Sequence, residues 1–193
     1  MIRTGRHIDA AFVELLGRRA YGNIRVSDIT KKAGVGRATF YAHYSSKDDL
    51  LSSQFRRIVA PMIVAQRHDL CPLDATALFG HVTTSPQIYR ALMGPGAGRA
   101  PRILRECIEQ RVLQALPELA SQTAADSSHI QKAITIRFVA TSLLAVIECW
   151  VENKACEPPQ GLQAVFSKLV GGGLALLATR DSMPPARGAV PHA

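Results

Sequence analysis

IRVSDITKKAGVGRATFYAHYSSKDDLL, residues 24–51, decides how this chain is read. Two short amphipathic segments, VSDITKKA (26–33) and RATFYAHY (37–44), flank Gly34-Val35-Gly36. Ile29, Ala33, Val35 and Phe40 fall at spacings that let them share a small core. The turn between the segments is tight. Gly34 is suited to end the first helix because glycine adopts a positive φ without steric cost. Gly36 can cap the second helix, less well than Ser or Asn would. Arg37, Ala38, Thr39, Tyr41 and His43 are left facing outward, whereas Phe40 and Tyr44 read as packing residues. Two short helices about a glycine turn are the shape of a helix-turn-helix, whose second helix reads base edges and phosphates with side chains near its N-terminus.

Upstream, Ile8, Ala11, Phe12, Leu15 and Leu16 make one apolar helical face. Downstream, Ser46-x-x-Asp49 resembles a capping box in front of Leu50 and Leu51. The helix it starts is expected to run to about 67, with Leu51, Phe55, Ile58, Val59, Met62 and Ile63 inward and a kink at Pro61. Further helices are expected at about 73–82, 86–93 (Ser85 as N-cap, Pro86 at the first helical position), 101–116 (ended by Pro117), 128–153 and 161–178. GPGAGRAP (94–101) reads as a loop, and the tail from Asp181 as frayed. No strand or hairpin signal has weight. The expected class is all-α: a three-helix N-terminal domain with the helix-turn-helix, then a larger helical domain. The boundaries expected are 1–51 (helix-turn-helix at about 25–44), 52–180, and a flexible tail at 181–193.

Charge supports the same division. The 193 residues carry a net +8. Residues 1–60 hold eleven Lys and Arg against five Asp and Glu, while the other 133 residues hold twelve against ten. A clustered cationic face draws a polyanion by Coulomb attraction and counterion release. Apolar residues make up 47% and charged residues 20%, an ordinary globular balance. No uninterrupted apolar run reaches the ~18–20 residues of a membrane span, so no membrane role is expected. Asp9 and Glu14 interrupt the stretch where a signal peptide would need apolar residues, and the cytoplasm is the compartment expected.

The motif is identified as resembling the DNA-binding signature of the TetR family. The matching positions are Val26, Asp28, Ile29, Ala33, Gly34, Val35, Thr39, Phe40, Tyr41, His43, Ser46, Lys47, Leu50 and Leu51, with Ala10, Ala11 and Tyr21 ahead of them. The match covers residues 7–51. The resemblance implies that Thr39, Tyr41 and His43 contact phosphates or bases. It also implies that Lys47 meets a phosphate at the start of the fourth helix, where charge and helix dipole act together. Arg37 and Ala38 occupy the base-reading positions, and Arg37 could bridge a guanine edge. Arg25 replaces the usual Thr cap, which removes that cap but places a cation within reach of a phosphate. Gly36 and Thr30 also depart from the pattern.

The resemblance further implies a helical ligand-binding and dimerisation domain beyond residue 51. SHIQKAITIRFVATSLLAVIECWVE (128–152) and VFSKLVGGGLALLA (165–178) are apolar on more than one side and are the candidates for a four-helix dimer interface. Gly171-Gly172-Gly173 would suit a close helix approach. Met62, Phe79, Tyr89, Met93, Cys107 and Trp150 are candidates to line a ligand pocket, beside the plain reading that they are core. His68, Cys71 and His81 lack a second cysteine pair, so no metal is expected. The four cysteines have no CxxC spacing and read as reduced. No phosphate loop, HExxH, GxSxG or catalytic carboxylate pair is present, so neither enzyme activity nor a cofactor is expected. The function expected is a homodimeric transcriptional regulator, a repressor, that reads a near-palindromic site in double-stranded DNA and answers a small-molecule effector. A second reading replaces the effector with a protein partner or thiol oxidation.

Overall fold

A computed structural model describes residues 2–64, 73–120, 129–153 and 158–180. Among them are nine α-helices and one 3-10 turn. Helix α1 spans Ile2–Leu16. Its predicted apolar face is the buried one: Ile8, Ala11, Phe12 and Leu16 are in the core and Leu15 packs against it. A 3-10 turn, Tyr21–Asn23, leads to α2 (Val26–Ala33) and α3 (Arg37–Tyr41). Gly34 has φ +66°, the left-handed conformation expected of it, and Val35 N–H donates to the Thr30 carbonyl at 3.0 Å.

Helix α4 spans Lys47–Val59. Ser46 caps it, accepting from Asp49 N–H at 3.0 Å, while Asp49 Oδ2 accepts from Ser45 N–H at 2.9 Å. It does not run to 67. The helix ends ahead of Pro61, which has no N–H to continue the ladder, and the chain goes into a two-residue strand, Ile63–Val64. That strand pairs antiparallel with Leu73–Asp74, in the register Ile63↔Asp74 and Val64↔Leu73. Residue 73 therefore lies in a strand, and α5 starts later than expected, spanning Thr76–Thr84.

Helix α6 is Pro86–Met93, as the proline predicts, although the Ser85 side chain makes no capping bond. Helix α7 spans Ala100–Ala120 and continues through Pro117. A proline's fixed φ is itself helical, so near a helix end it removes one ladder bond without forcing a stop. Helices α8 (His129–Glu152) and α9 (Pro159–Arg180) complete the bundle. His68, Cys71 and the tail from 181 lie outside the described residues.

One core runs from Phe12 and Phe40 through Phe55, Met62 and Leu104 to Ile147 and Phe166. Helix α4 joins the two halves, since it follows the helix-turn-helix directly and packs along α7. Gln163 of α9 anchors the start of α5. Its Oε1 accepts from Ala75 N–H at 2.9 Å and its Nε2 donates to the Leu73 carbonyl at 3.0 Å. Lys132–Glu152 is long and apolar enough to cross a membrane by length and composition alone. In this fold its Ala140, Leu143 and Ile147 face the core.

Candidate nucleic-acid interface

Burial on α3 separates its two roles. Phe40 has no exposed surface, and Ile29 beneath it has none either. Arg37 and Ala38 are exposed, Thr39 and His43 are half-buried, and Tyr41 is 56% exposed with its ring edge-on to Phe40 at 5.4 Å. An exposed tyrosine on a short helix is free to meet a partner with both ring and hydroxyl. The imidazole of His43 lies beside Gly5 of α1, where a Cβ would stand 3.6 Å from Nδ1.

Arg25 stands at the start of α2, exposed. Its own N–H donates to Asp28 Oδ2 at 2.8 Å. The acidic half of a capping box therefore survives the loss of the usual threonine. Thr30 is buried and donates to the Ser27 carbonyl at 3.2 Å.

Lys47 is placed differently from the outward residues. Its ammonium donates to the Tyr21 carbonyl at 2.8 Å and the Ile24 carbonyl at 2.7 Å, and lies 4.0 Å from the centre of the Tyr21 ring. Burial pushes its pKa down. A lysine has three donors, and two of these are committed to the turn ahead of α2. No sequence signal marked this inward bond, because the carbonyls belong to a turn 23 and 26 residues away.

Two tyrosines tie the domain together. Tyr21 is buried, donates to Asp48 Oδ1 and packs edge-on against Phe12. Tyr44 donates to Asp9 Oδ1 at 2.6 Å, and Asp9 Oδ2 pairs with Arg57 at 2.9 Å. Burial, then the hydrogen bond to Asp9, pushes the Tyr44 hydroxyl up to about 12. A pKa raised by folding adds stability that is complete below the ordinary phenol value and is lost as pH rises through the folded one. Thermal stability should therefore fall between about pH 10 and about pH 12, and Tyr44→Phe should lessen that fall. Melting curves that drop equally in both proteins over this window would disprove the assignment.

The pocket candidates all belong to the core. Met62, Phe79, Tyr89, Cys107 and Trp150 are buried, and Met93 is half-buried against the same cluster. Trp150 Nε1 is buried and meets no hydrogen-bond partner among the described residues. A cavity of about 650 Å³ lies elsewhere, between α7 and α8, where Glu106, Glu109, Leu113, Ile130, Ile134 and Arg137 line it. His81 is bound to the Tyr89 hydroxyl at 2.9 Å, and burial lowers its pKa. No group of three metal-ligating side chains comes together among the described residues.

Two short helices about a left-handed glycine, with an exposed basic and aromatic face on the second, form a helix-turn-helix, the kind of motif that reads DNA. Residues 8–53 match the model of the bacterial regulatory proteins of the tetR family. The match lies in the N-terminal domain. It is 39% identical over 64 residues to the HTH-type transcriptional regulator YxbF of Bacillus subtilis, which covers 33% of this chain and 17% of that protein. It is 36% identical over 63 residues to the fatty acid metabolism regulator protein of the same organism, covering 33% of this chain and 32% of that one. In both, the chain spans less than two thirds of the relative's length. In fold, the likeness extends past the N-terminal domain. The dihydroxyacetone kinase operon activator DhaS aligns over 91% of this chain and 97% of its own, with a TM-score of 0.55 at 21% identity.

Proposed function

We propose that the chain is a homodimeric, ligand-responsive repressor that acts in the cytoplasm, is not an enzyme and reads a near-palindromic operator. The observation that carries the DNA-binding part is the division on α3: Phe40 is sealed in the core while its neighbours Arg37, Ala38 and Tyr41 stand in solvent. Arg37 and Ala38 read bases; Arg25, Thr39, Tyr41 and His43 hold phosphates or base edges, and Lys47 offers its third donor to a phosphate. Residues 1–51 form the DNA-binding domain and 52–180 the effector-binding and dimerisation domain, with α4 shared between them.

Dimerisation is supported by apolar surface on α8 and α9 that stays exposed among the described residues. Ile130, Ile134 and Phe138 recur every four residues on α8, and Val165 and Leu169 do so on α9. Gly172 continues that face, and a Cβ there would meet nothing within 4 Å among the described residues. A second copy laid on these helices makes a four-helix interface and sets two recognition helices on successive major grooves. An effector enters the C-terminal part and favours a subunit geometry that no longer matches the operator. Control by thiol oxidation gains no support at Cys107, which is buried and whose pKa burial raises.

The test is selection of a duplex from a random pool by the full chain, followed by fluorescence anisotropy. Tyr41→Ala should weaken binding to the selected duplex about tenfold or more, the weight of one or two lost contacts of ~1–3 kcal/mol. If folded wild-type protein enriches no sequence, the DNA-binding reading fails.

A further inference from the structure

Loop Gly94–Arg99, which joins α6 to α7, reaches the turn ahead of α2. Gly22 N–H donates to the Gly96 carbonyl at 2.9 Å. The approach leaves no room: a Cβ on Gly22 would lie 2.5 Å from the Gly96 oxygen. Gly96 and Gly98 hold φ +82° and +59°, which L side chains adopt only with strain. A Cβ on Gly96 would come within 3.1 Å of the Ala20 Cβ. Ala97 and Ala100 are buried and seat the loop. Beside this backbone contact, Arg99 pairs with Asp48 Oδ2 at 3.1 Å, and Asp48 Oδ1 accepts from the Tyr21 hydroxyl. Lys47 then clamps the carbonyls of Tyr21 and Ile24. Ile24 is followed by Arg25, the first residue of the helix-turn-helix.

We infer that loop Gly94–Arg99 is a latch that positions the helix-turn-helix for DNA, through Gly22 and the Arg99–Asp48–Tyr21 chain. The inference rests on the DNA-binding reading above. The loop ends where α7 begins, and α7 packs on α4 and α8, so a shift among the C-terminal helices reaches the turn at residues 20–24 without passing along α4. The backbone contact is the stronger part. Arg99 is exposed, and an exposed ion pair contributes little by itself. The latch holds α2, and α3 behind it, in one orientation, and that preorganisation lowers the cost of docking.

The experiment uses the full chain, a duplex selected from a random pool by wild-type protein, and the variants Gly22→Ala, Gly96→Ala and Arg99→Ala. Gly96→Ala sits on the far side of the contact, so it separates loss of the latch from damage to the turn itself. With folding checked by circular dichroism, both glycine variants should bind about tenfold more weakly, and Arg99→Ala at most about threefold. The salt slope should stay at the wild-type value, because no phosphate contact is removed. Amide exchange supplies a readout that needs no DNA: Gly96→Ala should speed exchange at Gly22, Asp28 and Ile29 about tenfold. Folded variants that bind as well as wild type or better overturn the latch, as does unchanged exchange at Gly22. A slope reduced by about one in Arg99→Ala would make that residue a direct phosphate contact and also overturn it. If wild type selects no duplex, the DNA reading falls and the exchange measurement decides the latch alone.

Discussion

Phe40→Ala should cost about 3–5 kcal/mol and abolish DNA binding, because its ring is wholly enclosed where α1, α2 and α3 meet. The ring lies 6.0 Å from the Tyr44 ring and belongs to the same cluster as Ile29 and Phe12. Removing it opens a cavity that a five-residue helix has little means to close. A whole domain is stable by only ~5–15 kcal/mol, so a loss of this size leaves the helix-turn-helix largely unfolded at physiological temperature. The neighbouring Tyr41→Ala should behave oppositely, changing stability by less than about 0.5 kcal/mol while weakening DNA binding. Urea denaturation of both variants checks the pair. A Phe40→Ala loss below about 1 kcal/mol would mean that the ring does not hold the crossing of α2 and α3.

Ile134→Glu should convert the protein to monomers. Ile134 is 59% exposed in the subunit, between Ile130 and Phe138 and on the helix that packs with α9. A carboxylate there is harmless in a monomer and is buried without a partner in the proposed dimer, where an unpaired charge costs several kcal/mol. Losing the second recognition helix also loses the gain from bivalent binding, so operator affinity should fall about 10²–10⁴-fold. Light scattering gives the mass, and thermal melting should show the subunit itself intact. A variant that stays dimeric would place the interface on another face.

How far the sequence could be read depended on the range of the interactions. The face of α1, the left-handed Gly34, the Ser46 cap and the enclosure of Phe40 follow from spacings within a few residues, and all are visible in the chain. Helix ends set by proline were harder. Pro61 lies just past the end of α4, where a kink was expected, and α7 runs past Pro117, where a stop was expected. The contact of Gly22 with Gly96 joins glycines seventy-four residues apart, and no local pattern announces it. Lys47 sits at its motif position, but the motif does not show that its ammonium turns toward two carbonyls. The exposed stripe on α8 was only partly legible. The helix reads as apolar nearly all round, and the fold alone shows which side the subunit leaves uncovered.

The ion pairs of the N-terminal domain also shape how it would meet a polyanion. Glu14 takes up Arg18 and Lys32, Asp9 takes up Arg57, Asp48 takes up Arg99, and Lys47 is turned toward the protein. Among the described residues, Arg6, Arg19, Arg25, Lys31, Arg37 and Arg56 have no acidic side chain within ion-pairing distance, and Arg25, Lys31 and Arg37 belong to the helix-turn-helix or its cap. The free positive charge is therefore shared between the motif and its supporting elements, while Lys32 of α2 is itself paired. A body charged in this way is torqued as it diffuses toward a duplex, so encounters are biased to arrive with the N-terminal domain first.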